Sequence, residues 1–252
     1  MSTSFRPDYH VAITGAASGL GAAAARHLAA LGATVACLDI DEAGAAKLAA
    51  EITASGGKSL AARLDVNDPA GVEEIFARLD QHLPTLEALV NCAGITGTTN
   101  IKAHEVDLAD FDRVHAVNLR GALIISQAAL RRMLPKAYGR ILHVASIAGK
   151  DGNAGMTAYS ATKAGLIGLV KSMGKDYATA GITVNALAPA VIRTPLVEAL
   201  PLATIDYMTA KIPMARCGEL SEAAEMIAWV VSPACSFTTG FTFDLSGGRA
   251  TY

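Results

Sequence analysis

Three polar side chains stand at spacings that a proton transfer can use. Tyr159 and Lys163 lie four residues apart in Y-S-A-T-K, which puts both on one face of a helix, and Ser146 stands thirteen residues earlier at the end of an apolar run. A free tyrosine titrates near pH 10, and a cation within about 4–6 Å lowers a neighbouring acid by about 1–3 units. The pair predicts a phenol able to act as a general base at mildly alkaline pH. Tyr–Lys pairs at this spacing are common on helix surfaces; Ser146 gives this one its weight. A second group is T-G-A-A-S-G-L-G, Thr14 to Gly21. Gly15, Gly19 and Gly21, with Ser18 and Leu20 between them, allow a tight turn and a close approach of a pyrophosphate to a helix N-terminus. The spacing is G-x-x-x-G-x-G, so its meaning comes from context: a strand before, a helix after, and an acid, Asp39, closing the second strand in T-V-A-C-L-D. A carboxylate there accepts hydrogen bonds from ribose hydroxyls and repels a 2′-phosphate. Ser18 stands where an NADP-binding variant would often carry Arg or Lys, and no basic residue is expected nearby to neutralise a phosphate. These residues predict NAD as the cofactor.

Positioning such groups needs a sheet whose strands all end on one side. Short β-branched runs do alternate with longer alanine-rich segments; the chain holds 50 alanines, which suits helices lying close against a sheet. Strands are expected at His10–Thr14, Thr34–Leu38, Ser59–Leu64, Leu86–Val90, Arg140–Ala145, Ile182–Leu187 and Phe241–Phe243. Helices are expected at Leu20–Leu31, Glu42–Ser55, from Asp68-Pro69 onward, Asp107–Leu134 up to Pro135, Thr157–Ala178 and Ser221–Val231. The strands are nearly all apolar rather than alternating, as in a parallel sheet buried on both faces. The pattern predicts an α/β fold, a doubly wound parallel sheet of about seven strands with right-handed crossovers, as one domain over residues 1–252.

Composition removes several function classes. With 21 Lys+Arg against 23 Asp+Glu, the basic excess of a phosphate-tracking nucleic-acid binder is missing. The chain is 52% hydrophobic and 17% charged, too apolar for disorder. The uncharged stretch Met226–Phe243 contains Pro233 and a run of Ser, Thr and Gly, unlike a spanning helix, and M-S-T-S-F-R-P-D-Y-H lacks the apolar core of a signal peptide. Cys37, Cys92, Cys217 and Cys235 form no C-x-x-C and no metal spacing with histidine, nor do His104, His115 and His143 pair as ligands. A reduced, cytoplasmic protein without metal, membrane or nucleic-acid partner is expected.

T-G-A-A-S-G-L-G, N-C-A-G at 91–94, Asn118, Ser146 and Y-S-A-T-K together resemble the short-chain dehydrogenase/reductase family, in order and over nearly the whole chain. The resemblance implies a Rossmann fold and an NAD-dependent oxidoreductase acting on a secondary alcohol. It implies that Tyr159 is the acid/base, that Ser146 hydrogen-bonds the reacting oxygen, and that Lys163 holds the nicotinamide ribose and lowers the Tyr159 pKa. Asn118 would kink its helix and position a water of the proton relay. Asp65 and Val66 would contact adenine, Asn91 with Ala93 and Gly94 would line the adenosine side, and Ile192 and Thr194 would meet the carboxamide and phosphates. Ala190 stands where the family usually has glycine, and Cys92 reads as a packing residue. Residues from about 190 to 216, with a helical L-V-E-A-L and the segment I-P-M-A-R, resemble the family's substrate lid. Ala161, Ala164, Gly165 and Gly168 keep one side of a helix small, and members of the family use that helix to form dimers and tetramers; a homotetramer is expected.

For substrate, the polar clamp of 3-hydroxybutyrate dehydrogenases falls here on Thr96, Ala148 and Met156 and is missing. The loop 146–159, S-I-A-G-K-D-G-N-A-G-M-T-A-Y, resembles that of sugar-acid dehydrogenases of the 2-keto-3-deoxy-L-fuconate 4-dehydrogenase type. A small hydroxy acid is therefore expected, a 2-keto-3-deoxy sugar acid oxidised at C4, with Lys150, Asn153, Arg193 and Arg249 as candidates beside Ser146 and Tyr159 to meet its carboxylate. Arg249 is a candidate to act on a neighbouring subunit's site. The alternatives are a 3-oxoacyl thioester reductase or polyol dehydrogenase of the same family, and, from a different class, a catalytically silent nucleotide-binding scaffold. A silent relative would be expected to lose Ser146, Tyr159 or Lys163, and all three are present.

Overall fold

The computed structural model describes residues 5–6, 8–199 and 201–252. Parts of two sequence readings lie outside the described residues: 1–4 and 7 of the opening segment, and Leu200 at the end of L-V-E-A-L.

Seven strands form one parallel sheet in the order β3-β2-β1-β4-β5-β6-β7. They are β1 His10–Thr14, β2 Thr34–Asp39, β3 Lys58–Arg63, β4 Ala88–Asn91, β5 Gly139–Val144, β6 Ile182–Pro189 and β7 Thr242–Leu245. Strands β1, β4, β5 and β6 are buried from end to end and β2 up to its final Asp39, whereas the edge strand K-S-L-A-A-R is half open to water. That is why the apolar runs of the centre give way to mixed sequence at the edge.

Ten α-helices are described: α1 Gly19–Ala30, α2 Glu42–Ala54, α3 Pro69–Leu79, α4 Leu108–His115, α5 Gly121–Met133, α6 Ala148–Asp151, α7 Thr157–Asp176, α8 Pro195–Glu198, α9 Leu202–Thr209 and α10 Leu220–Val230. One face of the sheet packs Val72, Phe76, Ile125, Met133, Leu166 and Val170 from α3, α5 and α7. The other packs Leu28, Leu48, Ile227 and Val230 from α1, α2 and α10. Each such side chain, fully buried, contributes about 1.5–3 kcal/mol. Ala24, Ala25, Ala129 and Ala228 are wholly buried where helix meets sheet. No helix among the described residues is long and apolar enough to cross a membrane.

Local chemistry sets the helix starts. Asp68 caps α3 by accepting from the Ala70 N–H at 3.1 Å, with Pro69 at the first position. The long helix read over 107–134 is interrupted by a π-turn at Ala116–Arg120, and Pro135 falls inside a 3₁₀ turn that follows α5. In the lid, α9 is a helix the sequence reading did not anticipate, and I-P-M-A-R is not helical; its Ala215 sits at φ +52°. Strand order reverses between β1 and β4, so their C-terminal ends diverge and open a crevice.

Candidate active site

The crevice wall on the β1 side is the T-G-A-A-S-G-L-G turn. Gly15 has φ +68°, and a Cβ there would stand 2.7 Å from the Ala93 nitrogen, so N-C-A-G lies directly on the turn. A Cβ at Gly21 would run into the Gly15 carbonyl, whereas the one at Gly19 would meet only the Thr194 methyl, 3.9 Å away. Ser18 precedes α1 without capping it by its side chain, and the first turn of α1 holds no acid. The positive end of that helix therefore faces the crevice uncompensated, as a pyrophosphate requires.

Asp39 is half-buried and fixed by two backbone donors, Ala17 N–H at 2.9 Å and Asp41 N–H at 3.0 Å. Each oxygen keeps a lone-pair direction for a ribose hydroxyl. The structure adds one correction: Arg63, on β3, is the register partner of Asp39, so a basic residue does stand nearby. It is exposed and makes no ion pair with Asp39 among the described residues.

Asp65 accepts from Asn67 N–H at 2.9 Å, and beside it Asn67 Oδ1 is buried without a hydrogen-bond partner among the described residues, an acceptor suited to a purine amino group. The Val66 side chain is buried, and a Cβ at Gly121 would stand 2.7 Å from its Cγ2, so Val66 offers the crevice only its backbone. Ile192 is buried and bridges in parallel to Gly218, while Thr194 accepts from Val197 N–H at 3.3 Å. Ala190 needs no glycine geometry: its φ is not positive, and its N–H donates to the Leu245 carbonyl at 2.9 Å.

Ser146 follows β5, and Tyr159 and Lys163 project from α7. The two helices α6 and α7 meet at Gly149, where a Cβ would lie 2.6 Å from the Lys163 carbonyl carbon; this close approach holds the Ser146 loop against the Tyr–Lys face. Lys163 is buried, and its Nζ donates to the Val144 carbonyl at 2.6 Å while lying 5.6 Å from the Tyr159 ring centroid. Burial pushes the Lys163 ammonium down to about 8. Burial holds the Tyr159 phenol above its ordinary value, and the group that pulls it back is the Ser146 hydroxyl. The Lys163 ammonium lies over the ring and is engaged by the Val144 carbonyl.

Asn118 is buried in the π-turn, the kind of helix defect that frees backbone and side chain from the regular ladder. Its Oδ1 accepts from Ile95 N–H at 2.8 Å, and its Nδ2 donates to the Ile95 carbonyl at 2.8 Å and to Thr162 Oγ1 at 3.1 Å. Thr162 donates in turn to the Tyr159 carbonyl at 2.9 Å. A Cβ at Gly94 would lie 3.2 Å from Asn118 Oδ1 and 3.4 Å from Lys163 Nζ, so the missing side chain leaves both polar ends open to the crevice. Cys92 is half-buried, and burial pushes its thiol up to about 12, away from nucleophile chemistry.

Asn91 does not line the crevice with its side chain. Thr14 Oγ1 donates to Asn91 Oδ1 at 2.6 Å, Asn91 Nδ2 lies 3.0 Å from His143 Nδ1, and His143 Nε2 lies 3.0 Å from Ser126 Oγ. Ser126 spends its proton on the Ala122 carbonyl at 2.6 Å, so it must accept from His143 Nε2–H, which leaves Nδ1 to accept from Asn91. Burial, then the nearby Lys163 charge, pushes the imidazole down to about 3, so it is neutral.

The four candidates for a substrate carboxylate divide sharply. Lys150 is closed off: its Nζ pairs with both Asp244 oxygens at 2.9 and 2.8 Å and with the Tyr252 carbonyl, and Tyr252 Oη donates back to the Lys150 carbonyl at 2.7 Å. Arg193 is exposed and paired with Glu219 at 3.1 Å. Asn153 receives Arg249 Nη2 at 2.7 Å, and Arg249 Nε stands 3.6 Å from Asp151. Arg249 thus contacts its own chain's catalytic loop. Sequence spacing carried no signal for Asp244, Tyr252 or Arg63; Thr162, three residues after Tyr159, was legible as a same-face neighbour.

An anion-binding turn, an acid for a ribose and a Ser–Tyr–Lys face at the C-terminal edge of a parallel sheet define an NAD-dependent oxidoreductase of secondary alcohols. Comparison with known proteins agrees. Residues 15–250 match the family model described as enoyl-(acyl carrier protein) reductase. The chain is 42% identical over 240 residues to the 2-dehydro-3-deoxy-L-rhamnonate dehydrogenase (NAD(+)) of Sphingomonas sp. (strain SKA58), covering 95% of this chain and 94% of that one. It is 40% identical over 236 residues to the cis-4-hydroxycyclohexanecarboxylate dehydrogenase of Sinomonas cyclohexanicum, with 94% of each covered. The crystal structure of gox2181 superposes with a TM-score of 0.94 at 29% identity, over 98% of this chain and 97% of that one. The chain belongs to the short-chain dehydrogenase/reductase family.

Proposed function

We propose that the protein oxidises a secondary hydroxyl of a small hydroxy acid, a 2-keto-3-deoxy sugar acid oxidised at C4. The observation that carries this reading is the 42% identity, over 95% of the chain, to an NAD-dependent dehydrogenase of such an acid. NAD, when bound, supplies the hydride acceptor. Tyr159 takes the hydroxyl proton, Ser146 donates to the reacting oxygen, and Lys163, released from the Val144 carbonyl, turns to the nicotinamide ribose and adds its charge beside the phenol. Asn118 holds the Ile95 backbone and α7 at a fixed separation and positions the water through which the proton leaves. Gly15, Ser18, Gly19, Leu20 and Gly21 cradle the pyrophosphate, Asp39 takes the adenosine ribose, and Ile192 and Thr194 cover the nicotinamide half.

The family model's description favours a second reading, reduction of an acyl thioester. Asp39 weighs against it, because biosynthetic reductases of that kind usually take the 2′-phosphorylated cofactor. The deciding assay follows absorbance of the reduced nicotinamide with sugar acids, short hydroxy acids, polyols and 3-oxoacyl thioesters at matched concentration. Sugar acids are expected to dominate; turnover of neutral alcohols or thioesters alone would overturn the substrate. Ala161, Ala164 and Gly168 form an exposed flat strip on α7, beside Gly165, which instead receives Leu119 of the same chain. That strip supports a homotetramer, checked by light scattering. The four described cysteines are free, as suits the cytoplasm.

A further inference from the structure

We propose that Arg249, held by its own chain's catalytic loop, is the receptor for the substrate's carboxylate. The inference rests on the hydroxy-acid reading and adds the residue that would enforce it.

An anion leaving water needs a cation whose charge is not already closed in an ion pair. Lys150 fails that test, with both Asp244 oxygens within 2.9 Å and a side chain only 7% exposed. Arg193 fails it too, since it lies in open solvent against Glu219. Arg249 passes. Its Nη2 donates to the neutral amide oxygen of Asn153, its Nε reaches Asp151 only at 3.6 Å, and its Nη1 has no hydrogen-bond partner among the described residues. The side chain is 12% exposed, so its field is little screened.

Its place is also right. The Asn153 backbone N–H donates to Ser160 Oγ at 3.1 Å, so the residue whose side-chain amide holds the guanidinium is tied through its backbone to the residue after Tyr159. The guanidinium therefore stands against the catalytic loop, with Nη1 to spare among the described residues. Asp151 reaches only Nε, at 3.6 Å; a substrate carboxylate would close on the Nη1–Nη2 end with two parallel hydrogen bonds.

The test is calorimetric titration of the protein loaded with reduced NAD, using 2-dehydro-3-deoxy-L-rhamnonate and its neutral methyl ester as probes. Wild type is expected to bind the acid at least about tenfold more tightly than the ester. Arg249→Met should erase that gap while leaving affinity for reduced NAD unchanged, which also reports an intact fold; Arg249→Lys should restore part of the gap. A gap that survives in Arg249→Met overturns this assignment and leaves the hydroxy-acid reading standing. If neither probe binds wild type, the substrate reading fails and takes the assignment with it.

Discussion

At the scale of single residues the proton chemistry rests on opposed effects at Tyr159, where burial raises the phenol and Ser146 lowers it. Tyr159→Phe removes the proton acceptor without touching the dinucleotide cradle. Its turnover should fall by about 10²–10⁴-fold, with NAD affinity by calorimetry kept within a small factor. Ser146→Ala removes the group that favours the phenolate. Alcohol oxidation needs the deprotonated base, so the rising limb of kcat against pH should move to higher pH in its residual activity; an unmoved limb would mean Ser146 does not tune the phenol. The residues themselves were legible before the fold, because a Tyr–Lys pair at helical spacing and a serine at a strand end are one-dimensional signals. The balance between them was not, since it depends on where Lys163 Nζ points, and it points at Val144.

At the scale of elements, β2 and β3 together set the cofactor. On the proposed reading Asp39 repels a 2′-phosphate, and Arg63 is its register partner on β3. NAD should be preferred over NADP by at least about tenfold in kcat/KM, a difference of about 1.4 kcal/mol. Asp39→Ala should weaken NAD and let Arg63 recruit the phosphate, so the preference should narrow or reverse in steady-state assays with both cofactors. Adding Arg63→Ala should cancel the gain for NADP. The strands, most helix starts and the glycine turn could be read from periodicity and capping residues. Periodicity could not show the π-turn, because A-V-N-L-R carries no breaker; only the family resemblance points to a kink at Asn118, which bonds to Ile95. Nor could it show Arg63, whose relevance exists only in the pairing of two strands.

At the scale of the whole molecule, two buried arrangements join distant segments. The Thr14–Asn91–His143–Ser126 chain ties β1, β4, β5 and α5 together around a neutral imidazole. In the unfolded chain that imidazole titrates near 6.5, and in the folded one near 3. Between those values the unfolded state binds the extra proton, so stability rises with pH across the window and is lost as pH falls through it. His143→Gln should lower stability at pH 7 yet flatten its fall from pH 6.5 toward 4, measured by urea unfolding at each pH. The second arrangement is the Lys150–Asp244 pair. Lys150→Met strands a carboxylate and should cost about 1–3 kcal/mol, lowering Tm by about 2–4 °C for each. Asp244→Asn should do similar damage, and the double variant should lose less than the sum.

Lys150 and Asp244 are 94 residues apart in the chain, while Thr14, Gly15, Asp39 and Asn91 all lie within the first 91. Translation at about 5–20 residues per second separates the emergence of those two partners by about 5–20 s. A growing chain can therefore lay down β1, β2 and β4 well before the segment that fastens the Ser146 loop leaves the ribosome. The residues proposed to grip the adenosine half of the nucleotide are thus made early, and the ion pair that fastens the catalytic loop is completed almost last.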